Sequence, residues 1–274
     1  MPDTAVRLFQ RAIYAWSALY MLAVLLTGDA VWTNAPVRLF RPEHGASLFT
    51  ERFDVNLLAQ TALVLIAVII AVLSILQMRR HRWWVGLMVW GLFRIITHRT
   101  WLASNGGVQL MENMLIWCAL MGKETHALLR TSAFWIARLQ LLLAYAAAAA
   151  HKYTGTAWLD GTAVMMVARD PAFHLHWLAH RPWFCTALTY AALAFMTLFP
   201  FAVWWSPSRR VFLVIGVLFH LSTAVFMGIP QMGLAFIACY PIWLDEESAR
   251  WFGRNRESAI HRITSPPSPG SPVR

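Results

Sequence analysis

Apolar residues along this chain come in long blocks, not in the alternation of half-buried strands. Eight blocks stand out: Ala12 to Thr27, Val55 to Met78, Trp83 to Ile96, Gly107 to Met121, Ala133 to Ala150, Trp183 to Trp205, Val211 to Met227 and Met232 to Leu244. Blocks of roughly 20 apolar residues have the length that crosses about 30 Å of hydrocarbon as a helix. The blocks beginning at Trp83, Gly107 and Met232 are short for a full crossing, so the pattern predicts seven to nine elements, some tilted or incomplete. The expected fold class is all-α: a polytopic transmembrane bundle of about eight spans, with interfacial or re-entrant helices on its outer side.

Composition points the same way. The chain is 58% hydrophobic and 14% aromatic, with 15 Trp and only 13% charged residues, against about 25% charged in soluble domains. Cytoplasmic loops carry the Lys and Arg excess of a membrane protein. With the N-terminus inside, 14 basic residues fall in inner loops and tails and 7 in outer ones, with Arg94 and Arg138 inside spans. That bias predicts eight spans, both termini cytoplasmic and Lys152 on the outer side. The formal charge of +10 then reads as topology and attraction to anionic membrane lipids, and no basic groove suggests a nucleic-acid partner. Two Arg precede the first block and no small-residue cleavage site follows it, so an uncleaved first span is expected. Residues 1–250 form the predicted transmembrane domain. Residues 251–274, ending "TSPPSPGSPVR", form a basic Pro/Ser-rich tail expected to be disordered.

Two outer loops have the length to carry function, Gly28 to Asp54 and His151 to Pro182. The second contains "TAWLDGTAVMMVARDPAFHLHWLAH", apolar enough for one or two helices lying in or re-entering the membrane surface. Cys118, Cys185 and Cys239 sit in or beside apolar blocks without paired spacing and read as small core residues. His174, His176 and His180 raise the question of a metal. The lack of HExxH and of a carboxylate at ligand spacing speaks against one, and no metal is predicted.

Ionisable groups inside spans are functional candidates by default. Here they are Arg94, Glu112, Arg138 and His220, with His151 and Lys152 at a helix end. Glu112 reads first as half of a structural ion pair with Arg94 or Arg138. His220, in "LFHLSTAV", suits an interhelical hydrogen bond and a catalytic role equally. Arg138, Tyr145 and Lys152 are spaced by seven, which sets them within about 40° of one another around a helix. The small run Ala146 to Ala150 suits close approach of a neighbour. Lys152, near Tyr153 and Trp158, is either an interfacial anchor or, in a dry cavity, a neutral amine able to take a proton.

The segment "LLAYAAAAAHKYTGTAWLDGTAVM" resembles vitamin K-dependent gamma-carboxylases, in which a Tyr leads by seven to a Lys, followed by a Trp and an acidic-Gly pair. "LFHLSTAVFMGIPQMGLAFIACYPIWL" is similar to that family's His-bearing helix, short turn and closing helix. "RTWLASNGGVQL" resembles its Trp and Asn segment. The three stretches come in the family's order and cover roughly Trp83 to Leu244, the part shared with bacterial HTTM-domain proteins. The resemblance implies an outward-opening cavity for a reduced isoprenoid quinone, with Lys152 as base, His220 as cavity His and Asn105 as the matching Asn. Arg138, Tyr145, Trp158 and His151 would help bind substrate. The implied chemistry is oxygenation of the quinone to a strong base that takes a proton from a peptide glutamate. Gly106-Gly107 stands where the carboxylases have a His after the Asn, and the chain has a short tail where they carry a large soluble domain. The shorter HTTM-type proteins of bacterial inner membranes are therefore the closer analogy. The expected function is a quinone- or lipid-dependent membrane enzyme with a peptide or protein substrate. The alternative is a non-catalytic subunit for maturation or export of a partner peptide. Small-solute transport is disfavoured, since no pair of interrupted half-helices marks corresponding halves.

Overall fold

A computed structural model describes residues 3–27, 60–99, 104–173 and 175–249. Every regular element among them is helical. The principal helices are α1 (Asp3–Thr27), α2 (Gln60–Arg79), α3 (Trp83–Arg99), α4 (Gly106–Leu120), α5 (Ala127–Tyr153), the short α6 (Thr156–Leu159) and α7 (Ala163–Arg169), then α8 (Pro182–Ala202), α9 (Ser206–Phe226) and α10 (Pro230–Cys239). A 3₁₀ turn, His176–Leu178, precedes α8, and another, Tyr240–Trp243, follows α10. Each of the eight apolar blocks carries a helix. Five helices, α1, α2, α5, α8 and α9, are long and apolar enough to cross a membrane, which marks a membrane-embedded protein.

Helix bounds overrun the apolar blocks where polar residues extend the winding. α1 starts at Asp3 and α5 runs from Ala127 to Tyr153, because a helix keeps its hydrogen-bonded ladder past the point where its side chains turn polar. The last block is shorter as an α-helix than its apolar run, since Pro241 lacks the N–H that would continue the ladder and the chain tightens into a 3₁₀ turn. Pro182, Pro207 and Pro230 lie in the first turn of α8, α9 and α10, where no intrahelical donor is lost.

The packing order is α1 along α2, α2 with α3, and α3 with α4. Helix α10 lies against α1, α4 and α9, while α5 lies between α4 and α8. Buried polar contacts join neighbours inside the apolar core: Gln10 donates to the Cys118 carbonyl at 3.2 Å, Ser74 to Ser17 at 3.2 Å and Trp16 to the Gln231 carbonyl at 3.0 Å. Such bonds hold helices together where lipid removes the hydrophobic drive for helix–helix association. Outward, α2 exposes Leu65, Val68, Ile69, Val72 and Leu76, and α9 exposes Val214, Leu218, Leu221 and Val225. In water these would be a liability, and against acyl chains they are the matching surface. Exposed Trp183 and Trp205 flank α8, about 30 Å apart along its axis, as in aromatic belts at the two lipid headgroup levels.

One end of the bundle is laced by polar contacts. The Thr4 hydroxyl donates to Glu246 at 2.6 Å, Arg130 pairs with Asp3 at 3.5 Å and Arg210 with Asp245 at 3.5 Å. The start of α1, the α4–α5 and α8–α9 turns and residues 245–246 therefore share that end. The loop Gly28 to Asp54 and the tail 251–274 lie outside the described residues.

Candidate functional site

Three helical segments converge on one buried polar chain. Tyr145 of α5 places its hydroxyl 2.6 Å from His220 Nε2 on α9 and 2.6 Å from the Tyr240 hydroxyl, just beyond α10. All three side chains are buried. The walls are aromatic. Phe236 stacks on the His220 ring, with centroids 4.5 Å apart and planes 10° apart, while Phe195 and Phe199 pack on Tyr145. His220 Nδ1 is buried and has no hydrogen-bond partner among the described residues.

Glycines make the convergence possible. A Cβ at Gly216 would overlap the Tyr240 hydroxyl, and one at Gly233 would overlap the carbonyl oxygen of His220. Helices α9 and α10 thus approach closely at the level of His220, and Tyr240 reaches Tyr145 past the bare backbone of Gly216.

Lys152 sits one heptad further along α5, about 10 Å from Tyr145 along the axis. It is half-buried, with its ammonium 4.7 Å from the centre of the Trp158 ring, a cation–π distance. No carboxylate lies within 4.0 Å of it among the described residues. The neighbouring Tyr153 hydroxyl is 3.1 Å from Thr197, and Tyr190 donates to the Leu159 carbonyl at 3.0 Å. The end of α5 therefore lies beside the C-terminal half of α8 instead of at its Trp183 end. Beyond it α8 is flanked by α6 and α7, built on the "WLDG" turn. Asp160 accepts from the Thr162 amide at 3.0 Å and hydroxyl at 2.6 Å, and Gly161 has φ +79°, a left-handed conformation that favours glycine.

The other sequence candidates have structural partners. Arg138 donates through Nε and Nη2 to the Ile242 carbonyl at 3.1 and 3.0 Å, with its guanidinium over Phe134 and Trp243. It clamps α5 to the turn that carries Tyr240, so it positions the cluster without joining it. Glu112 pairs with Arg94 and accepts from the Thr97 hydroxyl at 2.8 Å. Asn105 caps α4, its Oδ1 accepting from Gly107 and Val108 amides at 3.0 and 3.2 Å. Next to it Gly107 meets α10, where an added Cβ would come 2.5 Å from Met232 Cα, which gives Gly107 a packing reason, while a Cβ at Gly106 would meet nothing within 4 Å. His151, His176 and His180 are exposed, and His174 lies outside the described residues. Ala149 is buried, but Ala146 lines an open apolar groove of about 570 Å³ between α5 and α8, together with Leu139, Leu143 and Pro200. Neither Lys152 nor His220 lines it.

Tyr240 and the Phe236 wall were not legible as site residues, because a Tyr and a Phe in an apolar block look like core. Pro241 and Gly216, a break and a gap at helix-packing positions, were the available signals. A second buried cluster was missed as well: His81, in the α2–α3 turn, lies 3.4 Å from the Tyr14 hydroxyl. No family model, curated protein or solved structure matches this chain.

Proposed function

We propose that this protein is a quinone- or lipid-dependent membrane enzyme of the HTTM and gamma-carboxylase-like type, with about eight crossings, cytoplasmic termini and a bacterial inner-membrane location. The observation that carries the reading is the buried Tyr145–His220–Tyr240 chain with an unpartnered His220 nitrogen. A hydrogen-bonding group held in an apolar, aromatic interior costs free energy unless something uses it. Lys152, without a carboxylate partner and one heptad away on α5, adds a basic group in the same part of the bundle. In this reading His220 would hold an oxygen of a reduced quinone by a hydrogen bond, Tyr145 keeps the imidazole in place, and Lys152 would be the base for the quinol hydroxyl proton. Asn105 and Arg138 act through helix geometry, and Trp158 and His151 border the approach to Lys152. A peptide or protein would be the acceptor of the chemistry.

A second reading, a non-catalytic subunit for maturation or export of a partner peptide, is favoured by one observation. Arg138, Glu112 and Asn105 are all occupied by internal partners.

The experiment is co-purification. Protein extracted in detergent is analysed by mass spectrometry for bound quinone and lipid, in wild type, His220→Ala, Lys152→Ala and Lys152→Arg. The enzymatic reading expects specific quinone in wild type, its loss in His220→Ala and retention without turnover in both Lys152 variants, since Arg keeps charge but is not a base. Equal lipid content in all four proteins, each still folded, would sink it.

A further inference from the structure

Tyr145 carries one hydroxyl proton and has two hydrogen-bond neighbours, His220 Nε2 and the Tyr240 oxygen, both at 2.6 Å. Three proton arrangements satisfy both contacts. In the first, Tyr240 donates to Tyr145 and Tyr145 donates to Nε2, so that His220 carries its proton on Nδ1. In the second, Nε2–H donates to Tyr145 and Tyr145 donates to Tyr240. In the third, Tyr145 accepts from both neighbours.

These differ in what they leave buried and unpaired. The first leaves one group, the Nδ1–H donor. The second leaves the Tyr240 proton and the Nδ1 lone pair, and the third leaves the Tyr145 proton and the same lone pair. The His220, Tyr145 and Tyr240 side chains are 1%, 1% and 4% exposed, so water does not relieve the difference, and unmade bonds in such a place are costly. The arrangement with one orphan wins.

We propose that Tyr145, donating to Nε2 and accepting from Tyr240, holds His220 in its Nδ1–H tautomer, so that the cluster keeps a single buried, unpaired donor for a ligand oxygen of carbonyl or phenolate type. Tyr145 is then a positioning residue that touches no ligand. Tyr240 donates to its oxygen from the far side, and Gly216 is the gap that admits the Tyr240 hydroxyl. The ligand class rests on the reading given under Proposed function, whereas the tautomer follows from the geometry alone. The Nδ1–H form is the one a free histidine side chain disfavours in water, so its presence is diagnostic.

The test is nitrogen NMR on the full chain labelled at histidine, with the His220 signals identified by their loss in His220→Gln. At neutral pH the wild type should show a protonated Nδ1 and a hydrogen-bonded, unprotonated Nε2. Tyr145→Phe should move His220 to the Nε2–H form, while Tyr240→Phe should leave the Nδ1–H form in place, because Tyr145 still donates to Nε2. An Nε2–H tautomer in folded wild type overturns the proposal, as does a folded Tyr145→Phe protein whose His220 keeps the Nδ1–H form. Addition of a short-chain benzoquinone should shift the Nδ1 signal. An Nδ1–H tautomer that ignores the quinone supports the relay and counts against the quinone reading instead.

Discussion

The molecule buries two histidines against tyrosines and treats them differently. His220 lies between membrane-spanning helices, stacked on Phe236, with a 2.6 Å bond to Tyr145. His81 lies in the turn between α2 and α3, half-buried, with a 3.4 Å contact to Tyr14 and ring centroids 5.9 Å apart at 45°. Each leaves Nδ1 without a partner among the described residues. The difference is in what holds them. His220 is fixed by the backbone-to-backbone approach of Gly233 to its own carbonyl, and the Tyr240 side chain reaches in past Gly216. His81 is fixed by a turn whose Gln77 side chain bonds both the amide and the carbonyl of Arg82, each at 2.7 Å, and by charged neighbours Arg82 and Glu124, themselves 3.8 Å apart. Rigid helix contacts give short bonds and one proton arrangement, while a solvent-edged turn leaves room to adjust.

The strongest way to break that contrast is to add one methyl group at each site. Gly233→Ala drives a Cβ into the His220 carbonyl, a backbone atom with nowhere to go, and should cost about 3 kcal/mol. Gly122→Ala puts its Cβ 3.0 Å from the His81 ring, which can tilt away, and should cost under about 1 kcal/mol. Thermal unfolding in detergent compares them, and equal losses would mean that His81 is held as rigidly as His220.

A smaller effect sharpens the role of the turn behind the His220 cluster. Arg138→Met keeps apolar length but removes both donors to the Ile242 carbonyl, and should cost roughly 2 kcal/mol. Because that turn carries Tyr240, the His220 nitrogen signals should broaden, while signals of His81 stay in place.

The smallest effect is the pH response of the α2–α3 turn. Burial lowers the His81 pKa below its usual value, opposed first by the Cys118 backbone and then by Glu124. The unfolded chain therefore binds more protons just below pH 6.5 than the folded one, so stability is full above that pH and falls as pH drops toward the folded value. Unfolding temperature should decline from pH 7 to pH 5, and His81→Phe should flatten the slope. A slope unchanged by the substitution would assign it to other groups.

Much of this was legible in the chain. Blocks of apolar residues located eight of the ten described α-helices, all but the short α6 and α7, because hydrocarbon leaves a single segment no other way to satisfy its backbone. The seven-residue spacing of Arg138, Tyr145 and Lys152 placed them along one helix, since periodicity is a local property. What they touch was not legible. Arg138 binds a carbonyl 104 residues away and Tyr145 bonds partners 75 and 95 residues away. The same Glu112 that sequence allowed to pair with either Arg pairs with Arg94 on the neighbouring α3, while Arg138 binds the Ile242 carbonyl. Local periodicity determined which segments are helices and which side chains share a face. Only the packing of α9 and α10 through Gly216 and Gly233 decided that His220, Tyr145 and Tyr240 meet, because hydrogen-bond partners depend on distances between helices that no stretch of sequence encodes alone.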